Sequence, residues 1–339
     1  MKVGLIARAD DRGLGILSWE WHRHMHPDRT LVIDVDNPAL PAHPDRYPDG
    51  TVVKWADGRL PEDDVRDWIT GLDVAYIAET FYDERLPDWF ADAGVPLVVH
   101  AMPEFYRWAD RDLPGVHWWN PTTWRQADMP AGTKVIPVPV PTDRWTTVPE
   151  PHDGPARILH VAGKRAAGDR NGTASFVAAL KLLSNPVEVT VATQGTPPRV
   201  PIPTGSSITV RADTDDYWDI YQGQDVLVLP RRYGGLSLPV NEAAGAGLGL
   251  LLSSQDPNPQ TWPCLTAKVK NQAGIRTPAG VVLTGNVDQL HLAAMIDTLA
   301  DPEVRARWQA EAQDWARRHS WDALRPFIVS ALVDAAGLR

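Results

Sequence analysis

The stretch Asp225–Ser253, DVLVLPRRYGGLSLPVNEAAGAGLGLLLS, constrains the fold more than any other part of the chain. Val226 to Leu229 is a short apolar run ended by Pro230, as expected of a parallel strand covered on both faces. Gly234 and Gly235 follow and permit backbone that a side chain would block. Pro239 suits the first turn of a helix, where its missing N–H has no intrahelical partner to lose. Glu242 then stands about one turn into that helix. Gly245, Gly247 and Gly249 end it, and Leu248 to Leu252 supply a second buried strand. A glycine turn leading into a helix N-terminus holds an anion readily, because N–H groups point outward there.

The same alternation runs through the rest of the chain. Strands are expected at Val3–Ala7, Leu31–Val35, Asp73–Ala78, Pro96–Val99, Arg157–Val161, Val187–Ala192 and Ile208–Arg211, and a last one at Val281–Leu283. Helices are expected near Gly15–Met25, Glu62–Thr70, Leu86–Ala93, Ala174–Leu183, Asp213–Gln222, Val287–Leu299 and Glu303–Arg318. Pro38–Lys54 and Pro257–Gly280 read as irregular. Thr146–Ala156 has three prolines, two acids and little apolar content, which reads as a linker. The 339 residues therefore divide into two parallel α/β domains.

The formal charge of −10 argues against a general nucleic-acid binder, which needs a basic face. The single cysteine, Cys264, rules out an intrachain disulfide and suits a reducing compartment. No apolar run approaches the length of a membrane span, and MKVGLIARADDRG lacks a signal-peptide pattern, so a cytoplasmic protein is expected. His22, His24 and His26 lie at a helix end without a matching third ligand; no metal site is expected of them.

Ligands of open α/β sheets collect at the carboxyl ends of strands. In the first half that places Glu79 and His100 toward a cleft. Gly13 and Gly15, followed by Asp34 at the end of the next strand, resemble an incomplete dinucleotide fingerprint whose third glycine position is Ser18. This motif keeps an NAD-dependent oxidoreductase open as an alternative. The tryptophans of VHWWNPTTW (Val116–Trp124) read as core rather than as a stacking platform.

Taken together, the Asp225–Ser253 stretch resembles the donor-site signature of retaining glycosyltransferases of the two-domain GT-B type, the glycosyltransferase family 4 group, written L-P-S-x-x-E-G-F-G-L-P-x-x-E-A. Leu229, Pro230, Gly235, Leu238, Pro239, Glu242 and Ala243 fall on it without a gap. The signature's first Glu is Gly234 here and its Ser is Arg231. AGKRAAGDRNG (Ala162–Gly172) is similar to the family's G-R-x-x-x-x-K-G loop, with Gly163-Lys164 for Gly-Arg and Asn171-Gly172 for Lys-Gly. VIPVPVPTDRW (Val135–Trp145) is a weaker match to the exit of the first domain, and HSWD (His319–Asp322) resembles the opening of the family's last helix. The resemblance admits a member of phage or actinobacterial type.

The resemblance implies a GT-B fold: two Rossmann-like parallel-sheet domains facing a cleft. They would comprise residues 1–145 on the acceptor side, a linker at 146–156, a nucleotide-sugar domain at 157–318, and a helix at 319–339 crossing back. It implies transfer of a hexose, glucose by preference, from a UDP-sugar with retention. The acceptor would be a hydroxyl on a protein, a small molecule or a hydroxymethylated DNA base. No metal and no cofactor is implied, since a donor phosphate oxygen takes the acceptor's proton. Lys164 and Arg170 would hold the diphosphate as charge develops on it, with His100 beside the reacting sugar. Gly163, Arg165, Asn171, Arg211, Arg231, Gly235, Leu236 and Ser237 would line the donor, and Glu242 would bind the ribose. Gly13, Gly15 and Glu79 would face the acceptor. Because Gly234 removes a sugar-contacting Glu, a non-catalytic nucleotide-sugar-binding protein is a second alternative.

Overall fold

The computed structural model describes residues 1–35, 37, 41–164, 169–194, 198–200, 204–212, 217–277 and 280–338, the side chains of Trp108 and Lys164 excepted. The chain forms two compact units: Met1–Val138 with Leu324–Arg339, and Pro139–Ala323.

The first unit begins β1 (Val3–Arg8), α1 (Gly13–Met25), β2 (Arg29–Asp34), β3 (Thr51–Lys54), α2 (Glu62–Ile69) and β4 (Val74–Glu79). It continues α3 (Leu86–Ala93), β5 (Leu97–Ala101), β6 (Val116–Asn120) and β7 (Lys134–Val135). Its seven strands run in the order β3-β2-β1-β4-β5-β6-β7, all pairs parallel. β1, β4 and β5 are apolar along almost their whole length because helices cover both faces of a parallel sheet. β3 lies in the segment expected to be irregular. It is an edge strand with only Val53 buried, so its sequence carries little apolar signal.

The second unit has β8 (Ala156–Lys164), α4 (Thr173–Leu180), β9 (Val187–Gln194), β10 (Ser207–Ala212), β11 (Val226–Leu229), α5 (Leu238–Gly245) and β12 (Gly249–Ser253). Then come α6 (Asn258–Thr261), β13 (Leu265–Ala267), β14 (Val269–Thr277), β15 (Gly280–Val287), α7 (Gln289–Thr298) and α8 (Pro302–Arg318). The last helix, α9 (Trp321–Ala335), passes from the second unit's residues to the first's at Leu324. Six strands form a parallel sheet in the order β10-β9-β8-β11-β12-β13. Alternation along β11 sorts its side chains onto two cores. Leu227 and Leu229 pack with Val240 and Ala243 of α5 and Trp315 of α8. Val226 and Val228 pack with Phe176 and Leu180 of α4 and Leu292 and Ile296 of α7.

Three expectations need correction. Pro257–Gly280 is not irregular: α6 and β13 lie in it, and β14 pairs antiparallel with β15 as a separate ribbon. Val281–Leu283 belongs to that ribbon and not to the parallel sheet. The helix expected at Asp213–Gln222 is, among the described residues, a single 3-10 turn at Tyr217–Tyr221.

Each parallel sheet reverses its order once, between β1 and β4 and between β8 and β11. Loops leaving the carboxyl ends of such a strand pair diverge and leave a crevice.

Candidate functional site

In the second unit, the loops leaving β8 and β11 are the two motif loops, and they are bound to each other. Gly163 sits at a register irregularity near the end of β8 with φ +61°, where glycine is favoured. A Cβ there would approach Asn171 Nδ2 to 3.2 Å, and that amide donates to the Val161 carbonyl at 2.9 Å. Asp169 caps α4, accepting from the Thr173 N–H at 2.7 Å and the Ala174 N–H at 3.0 Å. The α4 N-terminus is thus already served by a carboxylate.

Gly172, at φ +73°, lies so close under the next loop that a Cβ would be 2.1 Å from the Pro230 carbonyl oxygen. The Arg232 N–H donates to the Arg170 carbonyl at 2.9 Å. The Arg170 guanidinium donates to the Tyr233 carbonyl at 3.4 Å and lies 5.2 Å from the centre of the Tyr233 ring. Arg170, Asn171, Arg232 and Tyr233 are therefore one structural group at the switch point.

The β11–α5 loop is anchored from behind. Ser253 Oγ donates to the carbonyl of Arg231, itself buried. Asn258 Nδ2 donates to Ser253 Oγ at 2.9 Å, and Trp262 Nε1 donates to Asn241 Oδ1 at 2.8 Å. Gly234 has φ +116°, a conformation closed to a Glu without strain. The exchange of the signature's first Glu for glycine thus coincides with a backbone only glycine adopts freely. Leu236 and Ser237 are buried at the start of α5, and Ser237 is its N-cap residue without a side-chain cap.

Glu242 is 2% exposed, which is exceptional for a carboxylate. Two hydroxyls serve the same oxygen: Tyr217 donates to Oε2 at 2.8 Å, and Tyr221 donates to it as well. Burial, then the adjacent Glu242 carboxylate, pushes both phenols well above their usual range, so they stay protonated. Arg211, at the end of β10, donates to the Asp219 carbonyl at 3.2 Å and ties that strand to the same turn. Sequence reasoning missed both tyrosines. They lie 25 and 21 residues before Glu242, and no local pattern marks the pairing. Lys164 ends β8, with its side chain outside the described residues; Arg165 lies outside them altogether.

A cavity of about 420 Å³ opens at the other end of the same strands, lined by Trp145, His152, Arg157 and Tyr221 among others. The buried Asp225 there accepts from Arg157 Nη2 at 2.6 Å, with His152 Nε2 2.9 Å away. That ion group is satisfied within itself and takes no part in the motif loops.

The first unit's switch point is built differently. Its loop after β1 turns back on α1, and a Cβ on Gly15 would lie 1.8 Å from the Asp10 carbonyl oxygen. Gly15 is needed for the chain's own packing, because the Asp10 backbone lies where a side chain on it would be. Gly13 opens α1. Asp10 is itself buried and paired with Arg8 Nε at 2.5 Å. The dinucleotide reading loses its glycine cradle here.

His100, on β5, is buried. Its Nε2 donates to the Ile136 carbonyl at 2.8 Å, so Nδ1 accepts from the Tyr76 hydroxyl at 3.0 Å. Burial holds the ring down at about 4, the Ile136 carbonyl opposing this only in part. Both nitrogens are occupied inside the fold, so the ring offers no unpaired atom to a substrate in this arrangement. Trp118 and Trp119 are buried, as read from the sequence. Glu79 ends β4 at φ +69°, with the Thr80 N–H donating to the Ala78 carbonyl at 2.9 Å around it. This is a tight turn that a non-glycine residue seldom centres.

No protein-family model matches the chain, and no curated protein matches its sequence. Solved structures do match over nearly all of it. Anabaena HepE in complex with UDP and glucose aligns at TM-score 0.71 and 13% identity, over 98% of this chain and 100% of that one. Sucrose-phosphate synthase from Thermosynechococcus elongatus aligns at TM-score 0.66 and 12% identity, over 100% of both chains. The apo lipopolysaccharide outer core galactosyltransferase WaaB aligns at TM-score 0.62 and 10% identity, over 98% of this chain and 100% of that one. At such identity the likeness shows the fold, an α/β fold of the GT-B type with two Rossmann-like parallel sheets.

Proposed function

We propose that this chain is a glycosyltransferase that moves a hexose from a nucleotide sugar, UDP-glucose by preference, to a hydroxyl acceptor with retention at the anomeric carbon. The observation that carries the reading is the switch point of the second unit. There a buried carboxylate, Glu242, follows a loop bonded to Arg170, in the strand order and motif positions that hold nucleotide sugars in the resembled family. Glu242 would take the pentose hydroxyls and Arg170 the diphosphate, joined by Lys164 and the backbone N–H groups near Gly235 and Leu236. A departing nucleoside diphosphate gains negative charge, and fixed cations favour that transition state. Two matching structures fit this reading: that of HepE was determined with UDP-glucose, and that of a trehalose-6-phosphate synthase addresses glycosyl transfer with retention. We expect no resident metal or cofactor to take part, the proton of the acceptor passing to a donor phosphate oxygen.

A thermal-shift screen across UDP-, GDP-, ADP- and TDP-sugars, with NADH as the competing class, tests this directly, since a ligand that binds the folded form raises its melting point. Stabilisation by UDP-glucose in the wild type, lost in Arg170→Ala, is expected. Stabilisation by NADH alone would replace the reading with the oxidoreductase one. Slow release of labelled glucose from UDP-glucose separates an enzyme from a silent binding protein.

A further inference from the structure

We propose that Tyr217 and Tyr221 are positioning residues that fix the Glu242 carboxylate for the pentose of the donor. The proposal rests on the donor-site reading above. Two phenols on one carboxylate oxygen restrict how the carboxylate can turn. Burial at 2% exposure strips a carboxyl group of its water, and the two phenols return hydrogen bonds to it.

The phenols are themselves held in place. Tyr221 is 1% exposed, and the Trp145 ring meets it edge-on at 5.6 Å. Trp145 also meets Trp218 edge-on at 5.4 Å, and Tyr217 meets Trp218 at 5.0 Å. The 3-10 turn that carries both tyrosines is fastened to β10 by Arg211 through the Asp219 carbonyl. Glu242 thus stands in an aromatic frame, and a pentose meets a carboxylate already oriented. Such preorganisation favours binding by removing the cost of ordering the group.

The test uses calorimetric titration of UDP-glucose, whose phosphodiester groups do not titrate between pH 5 and 8 on the order-of-magnitude scale that matters here. Wild type, Tyr217→Phe, Tyr221→Phe, Glu242→Gln and the pairwise combinations are compared, with melting points confirming that each folds. Each Phe variant is expected to weaken binding about five- to tenfold at pH 7, for the loss of one charge-assisted hydrogen bond. The acid limb of binding should move to higher pH, since a carboxylate with fewer donors protonates more easily. In a Glu242→Gln background the Phe substitutions should add little, which a merely structural role would not produce. If Glu242→Gln weakens binding while the Phe variants bind as wild type with the same pH profile, the positioning role is overturned and the donor site stands. If Glu242→Gln binds as tightly as wild type, or wild type binds no UDP-glucose, the donor-site reading falls and takes the proposal with it.

Discussion

The two switch points share a strand order but not a chemistry. In the first unit, around the carboxyl ends of β1, β4 and β5, the polar groups are turned on one another: Asp10 on Arg8 and against Gly15, and His100 on Tyr76 and Ile136. Between β8 and β11, the loops are equally well bonded through their backbones, yet Arg170 and Asn171 of one lie against the other, and the helix that follows carries the buried Glu242. Glycines in a fingerprint-like spacing are therefore poor evidence by themselves. Gly15 accommodates the chain's own carbonyl, whereas Gly172 lets one motif loop lie against the other. What separates them is which neighbour takes up the space a side chain would need.

Alanine at these two glycines gives the largest expected effects and the sharpest test of the contrast. Both substitutions place a methyl against a backbone oxygen, which no rotamer change relieves, and a loss of about 4 kcal/mol in stability is expected for each. Gly172→Ala also meets a positive φ. Measured below its melting point, Gly172→Ala should lose UDP-glucose affinity because Arg170 moves with the loop. Gly15→Ala should keep it. A Gly15→Ala chain that folds normally but no longer binds donor would break the comparison.

A smaller effect concerns what the units share. His160, like His100, has both nitrogens occupied: Nδ1 donates to the Val228 carbonyl at 2.9 Å, and Nε2 accepts from Thr173 Oγ1 at 2.9 Å. Burial, opposed in part by the Val228 carbonyl, holds it down at about 4 as well. An unfolded histidine titrates near 6.5, so below that pH the unfolded chain takes up protons that the folded chain refuses. The stability from each neutral ring is intact above about 6.5 and is lost as pH falls toward 4, by about 3 kcal/mol per ring. Urea unfolding at pH 7 and pH 4.5 should show this slope, and His100→Gln and His160→Gln should each remove part of it. An unchanged slope in the double variant would assign acid sensitivity to other groups. Donor affinity unaffected by His100→Gln would confirm that the ring serves the first unit's core.

How far the sequence could be read follows from the same physics. Val226–Leu229 and the glycine turn after it were legible because a doubly covered strand and a helix start both leave local signals. The core role of Trp118 and Trp119 was legible for a similar reason. The ribbon β14–β15 was not: most of its residues are exposed, and its glycines and polar residues mimic a loop. The tyrosine pair on Glu242 was out of reach because it is a tertiary contact between a 3-10 turn and a helix, with no spacing rule to predict it. His100 shows the converse limit. Its place at a strand's carboxyl end was read correctly, but position does not say which atoms satisfy the ring.

The smallest effect probes the one feature of the first switch point that its own packing does not explain. Glu79 is the central residue of a turn at φ +69°, where an L-residue other than asparagine or aspartate is uncommon. Such backbone costs about 1–3 kcal/mol and persists where the surroundings or a function demand it. Glycine at this position would relieve the strain but add freedom to the unfolded chain, so Glu79→Gly should stabilise the fold by about 1 kcal/mol, net of the contacts its carboxylate makes. If Glu79 faces the acceptor, the same variant should lower turnover while UDP-glucose affinity stays unchanged, a split that separates the two switch points by substrate. Increased stability with full turnover would make the strain a local accident of the β4 exit. A fall in stability would mean that the carboxylate's contacts outweigh the backbone cost, and would place Glu79 with Asp10 and His100 among the groups that serve the fold.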